Sequence, residues 1–217
     1  MRKIAVAVAA AVLAVSAVQS HAHEIYSTVG SEGVGLGYGY SISKSVDVRA
    51  DFNYLGFNHG GELDGTGYNA TARLAHAGLY ADWFPLGGIA HGLRLTAGAL
   101  IGNDRAYGSL DGNNGSITIN GHTLSTYGQS IYAKAKMPTV RPYIGIGYGH
   151  NALAKGFSFI ADVGVAYGKP KMEYNLPVGL EEAVGSDNVA AQEAKWQDTA
   201  NRVRFFPVVK LGAAYRF

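Results

Sequence analysis

Apolar and polar residues alternate in two-residue steps over several long stretches of this chain, a period that belongs to β-strands and not to helices. From Val46 to Tyr54 the even positions hold Val46, Val48, Ala50, Phe52 and Tyr54, and the odd ones hold Asp47, Arg49, Asp51 and Asn53. One face of such a strand is apolar and the other polar. The period returns at Val34, Leu36, Tyr38, Tyr40 and Ile42, and again at Leu93, Leu95, Ala97, Ala99 and Ile101. It recurs at Phe157, Phe159, Ala161, Val163, Val165 and Tyr167. A last apolar face, Phe205, Val209, Leu211, Ala213, Tyr215 and Phe217, stands opposite Arg204, Lys210, Gly212 and Arg216.

Alternation alone also suits a soluble sandwich, whose apolar face is the core and whose polar face meets water. Export, aromatic placement and strand length favour a membrane barrel instead. Arg2 and Lys3 precede an apolar run from Ile4 to Val18, and small residues follow at Ser20 and Ala22. That is the pattern of a secretory signal peptide cleaved after Ala22, and the run is shorter than the roughly 20 residues of a spanning helix. Tyr and Phe close the apolar faces, where interfacial girdles lie, and the strands exceed the usual length of roughly five or six residues.

Strands are expected at 24–31, 33–42, 45–58, 67–84, 93–107, 129–149, 157–168 and 202–217. An antiparallel ring with both ends in the periplasm needs an even number. The expected fold is therefore all-β, an eight-stranded antiparallel transmembrane β-barrel over 23–217, behind a signal peptide at 1–22. Short joins at Ser43–Lys44, Leu86–Gly92 and His150–Gly156 face the periplasm. Long extracellular loops are expected at His59–Thr66, Gly108–Gly128 and Lys169–Asn201. Within them, Ser116–Ser125 reads as a hairpin turning at Asn120-Gly121, and Asp187–Thr199 as a helix with Asp187 as N-cap.

Composition removes several functions. Cleavage would take away two of the 18 Lys and Arg and none of the 16 acids, so the exported chain is balanced and carries no nucleic-acid footprint. Cys is absent, which excludes disulfides and the usual lipid-attachment thiol. His23, His59, His76, His91, His122 and His150 are scattered without metal-ligand spacing. The runs Gly33–Gly39 and Gly145–Gly149 alternate Gly with apolar residues and lack the spacing of a nucleotide loop. No metal or other cofactor is expected. A lipid hydrolase or acyltransferase would need His59, His76 or His122 beside a rim Ser, but no G-x-S-x-G is present, so the chain is expected not to be an enzyme.

The inward face is the informative one. It is expected to hold Asp47, Arg49, Asp51, Asp82, Arg94, Asp162, Lys210 and Arg216, four acids and four bases. Side chains nearly fill an eight-stranded barrel, and charges confined there must pair. They form either a salt-bridged plug or a narrow polar path for a small zwitterion or cation.

Arg141-Pro142-Tyr143-Ile144-Gly145-Ile146-Gly147-Tyr148-Gly149 and Asp162-Val163-Gly164-Val165-Ala166-Tyr167-Gly168-Lys169-Pro170-Lys171-Met172 resemble the ornithine-uptake porins, also called carbapenem-resistance-associated outer-membrane proteins. The helical insertion at 180–200 and the strand Pro207-Val208-Val209-Lys210-Leu211-Gly212 continue the resemblance, which covers 67–217. It implies a small outer-membrane barrel of a Gram-negative bacterium that takes up ornithine and other basic amino acids. Tyr215 and Phe217 also resemble the signal read by the barrel-assembly machinery. The expected partners are outer-membrane lipid, that machinery and small polar solutes, and the barrel is expected to be a monomer. The rival reading is a plugged structural or adhesive surface barrel that acts through its extracellular loops.

Overall fold

The two faces of each alternating segment need different surroundings, and a closed antiparallel ring supplies both while pairing the backbone groups that lipid cannot satisfy. The computed structural model describes residues 23–63, 66–86, 92–112, 116–126, 128–150, 155–176 and 178–217. The signal-peptide segment lies outside these residues, as do parts of the joins at Leu86–Gly92 and His150–Gly156. The strands are β1 (His23–Gly30), β2 (Gly33–Ser43), β3 (Val46–Leu63), β4 (Thr66–Trp83), β5 (Leu93–Gly102), β6 (Arg105–Leu110) and β7 (Ser116–Ile119). They continue with β8 (His122–Ser125), β9 (Ile131–Lys136), β10 (Val140–Tyr148), β11 (Gly156–Tyr167), β12 (Lys171–Asn175) and β13 (Phe205–Arg216). Two helices, α1 (Val178–Val184) and α2 (Ser186–Arg202), lie between β12 and β13.

Eight staves close the ring in the order β1, β2, β3, β4, β5, β10, β11, β13 and back to β1. All pairings are antiparallel. The seam joins β1 to β13, from Glu24 opposite Arg216 to Gly30 opposite Lys210. β6, β9 and β12 prolong β5, β10 and β11 on the extracellular side, where they pair with β4 and with one another. One side of the barrel thus rises as a tall wall, while the side built from β13, β1 and β2 stops at the two-residue turn Ser31-Glu32.

The fold inverts the usual arrangement of core and surface. Val34, Leu36, Phe52, Leu79, Leu95, Ile144, Ile146, Phe159 and Leu211 form an outward apolar belt, and Ile144 is 64% exposed. Trp83, Tyr148, Phe157, Tyr215 and Phe217 ring its periplasmic edge, and Tyr54, Tyr167 and Phe205 its outer edge. Tyr167 and Phe205 pack at a tilt across neighbouring strands with centroids 5.5 Å apart. Inside, Tyr26, Tyr80 and Tyr143 fill the middle of the lumen, with Leu100 and Ile160 beside them. Glycine makes room for these rings. A Cβ at Gly37 would stand 2.2 Å from the Tyr26 ring, and one at Gly164 would stand 2.3 Å from the Tyr143 hydroxyl. This close approach explains the alternating glycines better than a ligand loop does.

Three expectations need correction. The loop expected at His59–Thr66 is mostly strand, because β3 and β4 pair from Val46↔Trp83 to Leu63↔Thr66. Water wets both faces there, so apolar alternation ends near Asn58 although pairing continues. The Lys169–Asn201 region begins with a strand, β12, for the same reason. Its helix is longer than expected, and Gly185, not Asp187, is the N-cap; no side chain caps it. The hairpin of β7 and β8 turns at Asn120-Gly121 as expected, with φ of 47° and 89°, the positive pair a type I′ turn requires.

Gly37→Val is expected to lower unfolding stability by about 1–3 kcal/mol through overpacking against Tyr26. Gly108→Val, where an added Cβ meets nothing within 4 Å, should leave it unchanged. Urea unfolding followed by heat-modifiable gel mobility reads both.

Candidate functional site

Period-two geometry turns the polar positions of β3, β4, β5, β11 and β13 toward the axis. Asp47, Arg49, Asp51, Asp82, Arg94, Asp162, Lys210 and Arg216 all lie in the interior, and none is more than 6% exposed. They form stacked layers of ion pairs. Near the periplasmic end, Arg216 Nη2 donates to Glu24 Oε2 at 3.0 Å, to Asp47 Oδ2 at 3.2 Å and to the His150 carbonyl at 2.7 Å. Its Nη1 donates to Ser41 Oγ at 2.6 Å. His150 also contacts the Glu24 carboxylate.

The next layer crosses the lumen. Arg49 Nη2 donates to Asp82 Oδ1 at 3.1 Å, and Arg94 Nη1 donates to Asp162 Oδ1 at 2.7 Å. Thr96 Oγ1 donates to the same Asp82 oxygen at 2.6 Å. The Arg49 guanidinium sits over the rings of Tyr80 and Tyr26, 4.9 Å and 5.6 Å from their centroids. Charge from β3, β4, β5 and β11 therefore meets at one level.

Above the tyrosines, Lys210 Nζ donates to Asp51 Oδ2 at 3.2 Å and to Tyr80 Oη at 3.1 Å. It also pairs with Glu32 Oε2 at 2.7 Å. His76 lies between Glu32 Oε1 at 3.0 Å and Asp104 Oδ2 at 2.9 Å. Asp104 in turn pairs with Arg141. This upper layer floors a cavity of about 390 Å³ at the extracellular mouth. The cavity's walls are apolar, with Leu100, Met137, Met172, Phe206 and Val208 among them, and Glu32, His76, Asp104 and Arg141, with Arg105 at the rim, supply its charge.

Sequence reasoning missed Glu32 and Asp104 of this layer and Glu24 of the periplasmic one. Glu32 sits in a turn, Asp104 between β5 and β6, and Glu24 on a strand whose alternation is weak, so no clean polar face announced them. Tyr26, Tyr80 and Tyr143 carry no signal that separates them from girdle aromatics. Of the three histidines weighed for a rim enzyme, His76 is buried between two carboxylates, while His59 stacks on Phe57 and His122 is exposed on the β7–β8 hairpin. The outward-facing Tyr215 packs against Phe157, with centroids 4.8 Å apart, and Phe217 is exposed beside it.

Removing one partner from a buried ion pair leaves an uncompensated charge. Arg216→Met is expected to destabilise the barrel by about 3–5 kcal/mol. Adding Glu24→Gln and Asp47→Asn should restore most of that loss. Equilibrium unfolding of the single and triple variants in detergent is the measurement.

No protein-family model matches the chain, and no curated protein matches it by sequence. Solved structures do match. CarO2 of Acinetobacter baumannii superposes with a TM-score of 0.60 at 20% identity, over 91% of this chain and 98% of that one. CarO of the same organism superposes with a TM-score of 0.57 at 18% identity, over 91% and 97%. At this identity the likeness concerns the fold. The chain has the fold of the CarO-type small outer-membrane β-barrels.

Proposed function

We propose that this barrel is a porin for passive uptake of small cationic and zwitterionic solutes, with basic amino acids such as ornithine and lysine foremost. The observation that carries the reading is an excess of acid inside. Among the described residues, the buried carboxylates are Glu24, Glu32, Asp47, Asp51, Asp82, Asp104 and Asp162, seven in all. They face five buried permanent cations, Arg49, Arg94, Arg141, Lys210 and Arg216, and the His76 imidazole held between Glu32 and Asp104, so acid remains in excess by one even with that ring charged. A low-dielectric lumen with surplus carboxylates concentrates cations and repels anions.

Passage follows from partner exchange. A solute entering the mouth lays its aliphatic stem on the apolar wall and its ammonium group on Glu32 and Asp104. Arg141 Nε is buried without a protein hydrogen-bond partner and offers a donor to the solute's carboxylate. The ammonium group then replaces Lys210 at Asp51, and replaces the arginines in turn at Asp162, Asp82 and Asp47. Each step trades one charge-assisted hydrogen bond for another, so no carboxylate is left bare. In this account residues 1–22 direct export, Tyr215 and Phe217 address the assembly machinery, and the barrel works as a monomer.

A second reading rests on a specific observation: Arg49, Asp82, Arg94 and Asp162 tie four staves together at one level. If these pairs never exchange, the lumen is a plug and function lies in the outer hairpin and helices.

Liposomes containing the refolded barrel separate the two. Ornithine and lysine are expected to enter about tenfold faster than glutamate, with a neutral sugar between them. Asp47→Asn, Asp51→Asn and Asp162→Asn together should remove that preference. No entry of any solute through folded protein would favour the plug, and loss of a cell-surface phenotype on deleting 111–128 or 178–202 would then locate the function.

A further inference from the structure

The tall wall carries a row of basic residues that the lumen does not use. Register pairs Arg73 with Arg105, Arg105 with Lys136, and Lys136 with Lys171. One cation therefore comes from each of four adjacent strands, β4, β6, β9 and β12, on the same face of the sheet. The opposite face of these strands presents Ala72, Ala106, Ala135 and Met172 to the mouth cavity, so alternation turns the basic row outward, although half-buried Arg105 also borders the cavity rim. Four strands spaced about 4.8 Å apart spread the row over roughly 14 Å.

Its height is as informative as its charge. Arg105 follows Ile101 of the apolar belt by four residues, about 13 Å along a strand and roughly 10 Å along the membrane normal at the usual tilt. Long basic side chains at that level reach the head groups while their stems lie on apolar surface. Like charges placed directly opposite one another on neighbouring strands are destabilising unless an anion bridges them. The protein provides little compensation. The next outward row holds Thr71, Tyr107, Lys134 and Glu173, and the only carboxylate among them is taken by Lys134 at 2.8 Å. The hydrogen bond from Lys134 also holds the Glu173 carboxyl below the usual carboxylate range. Arg105 Nε is steadied by Asn103 Oδ1 at 2.8 Å, and Arg73 and Lys171 are exposed.

We propose that Arg73, Arg105, Lys136 and Lys171 form a docking row for multiply phosphorylated glycolipid head groups of the outer leaflet. Arg73 and Arg105 bind phosphate oxygens in forked pairs, and the two lysines act as point charges beside them. The apolar belt below accepts the acyl chains of the same lipid. A barrel held this way has a preferred side toward the phosphorylated leaflet, and its tall wall is clamped at the membrane surface.

The test uses the full barrel, refolded in neutral detergent and mixed with a diphosphorylated lipid A, its dephosphorylated counterpart, or the diphosphorylated disaccharide without acyl chains. Retained lipid is read by native mass spectrometry. The wild type should retain the diphosphorylated lipid at least about tenfold better than the dephosphorylated one, and the quadruple variant R73Q/R105Q/K136Q/K171Q should lose that preference. If the quadruple variant fails to fold, the doubles R73Q/K171Q and R105Q/K136Q are measured instead, each expected to lose at least about fivefold. Equal retention of both lipids, or an unchanged preference in folded variants, overturns the proposal. Retention of the soluble disaccharide as tight as that of the lipid overturns the assignment to a membrane lipid and makes the row a site for free polyanions.

Discussion

Pairing of β1 with β13 is the constraint from which the rest of the architecture follows. In hydrocarbon, an unpaired strand edge strands a row of N–H and C=O groups, each costing several kcal/mol, so the sheet must close. Closure with eight staves then fixes the bore. The interior is so narrow that most inward positions are small, a ring packed over a glycine, or a charge with a partner. The seam itself shows the coupling: Glu24 and Arg216 are register partners in the β1–β13 ladder and also an ion pair inside the barrel.

The interior charges are held by one another, yet their balance is uneven. Buried ion pairs seldom add much net stability, because desolvation offsets most of the Coulombic gain. A chain selected for a stable cylinder alone would do well with apolar filling, as Leu100 and Ile160 show at two inward positions. Seven carboxylates facing five permanent cations are better understood as a surface for exchange with a solute that brings its own charge. In the proposed passage, the apolar-walled mouth cavity, floored by Glu32, His76, Asp104 and Arg141, is where such a solute first meets that surface.

How much of this was legible in the sequence depended on whether two faces of a strand saw different solvents. Within the membrane, lipid outside and charge inside imposed the alternation of Val46–Tyr54, and strands, facing and eight interior charges were readable from it. Above the membrane both faces of β3 and β4 are wet, so His59–Glu62 carries no period and reads as loop although it is paired strand. The upper ion layer was hidden for another reason: Glu32 and Asp104 lie at a turn and a strand junction, where β4–β5 pairing brings Asp104 beside His76 and the curvature of the ring brings Glu32 to it across the lumen. The basic row on the tall wall was equally hidden, since Arg73, Arg105, Lys136 and Lys171 are distant in sequence and aligned solely by register.

The central claim is that the interior carboxylates exchange partners with a moving cation. Planar-bilayer recording of the refolded barrel under a gradient of ornithine hydrochloride tests it most directly. The account predicts a measurable conductance whose reversal potential lies on the cation side, moving toward zero when Asp51 and Asp162 become Asn. A bilayer that holds folded barrel yet conducts no better than bare lipid, or a reversal potential on the chloride side, would contradict it.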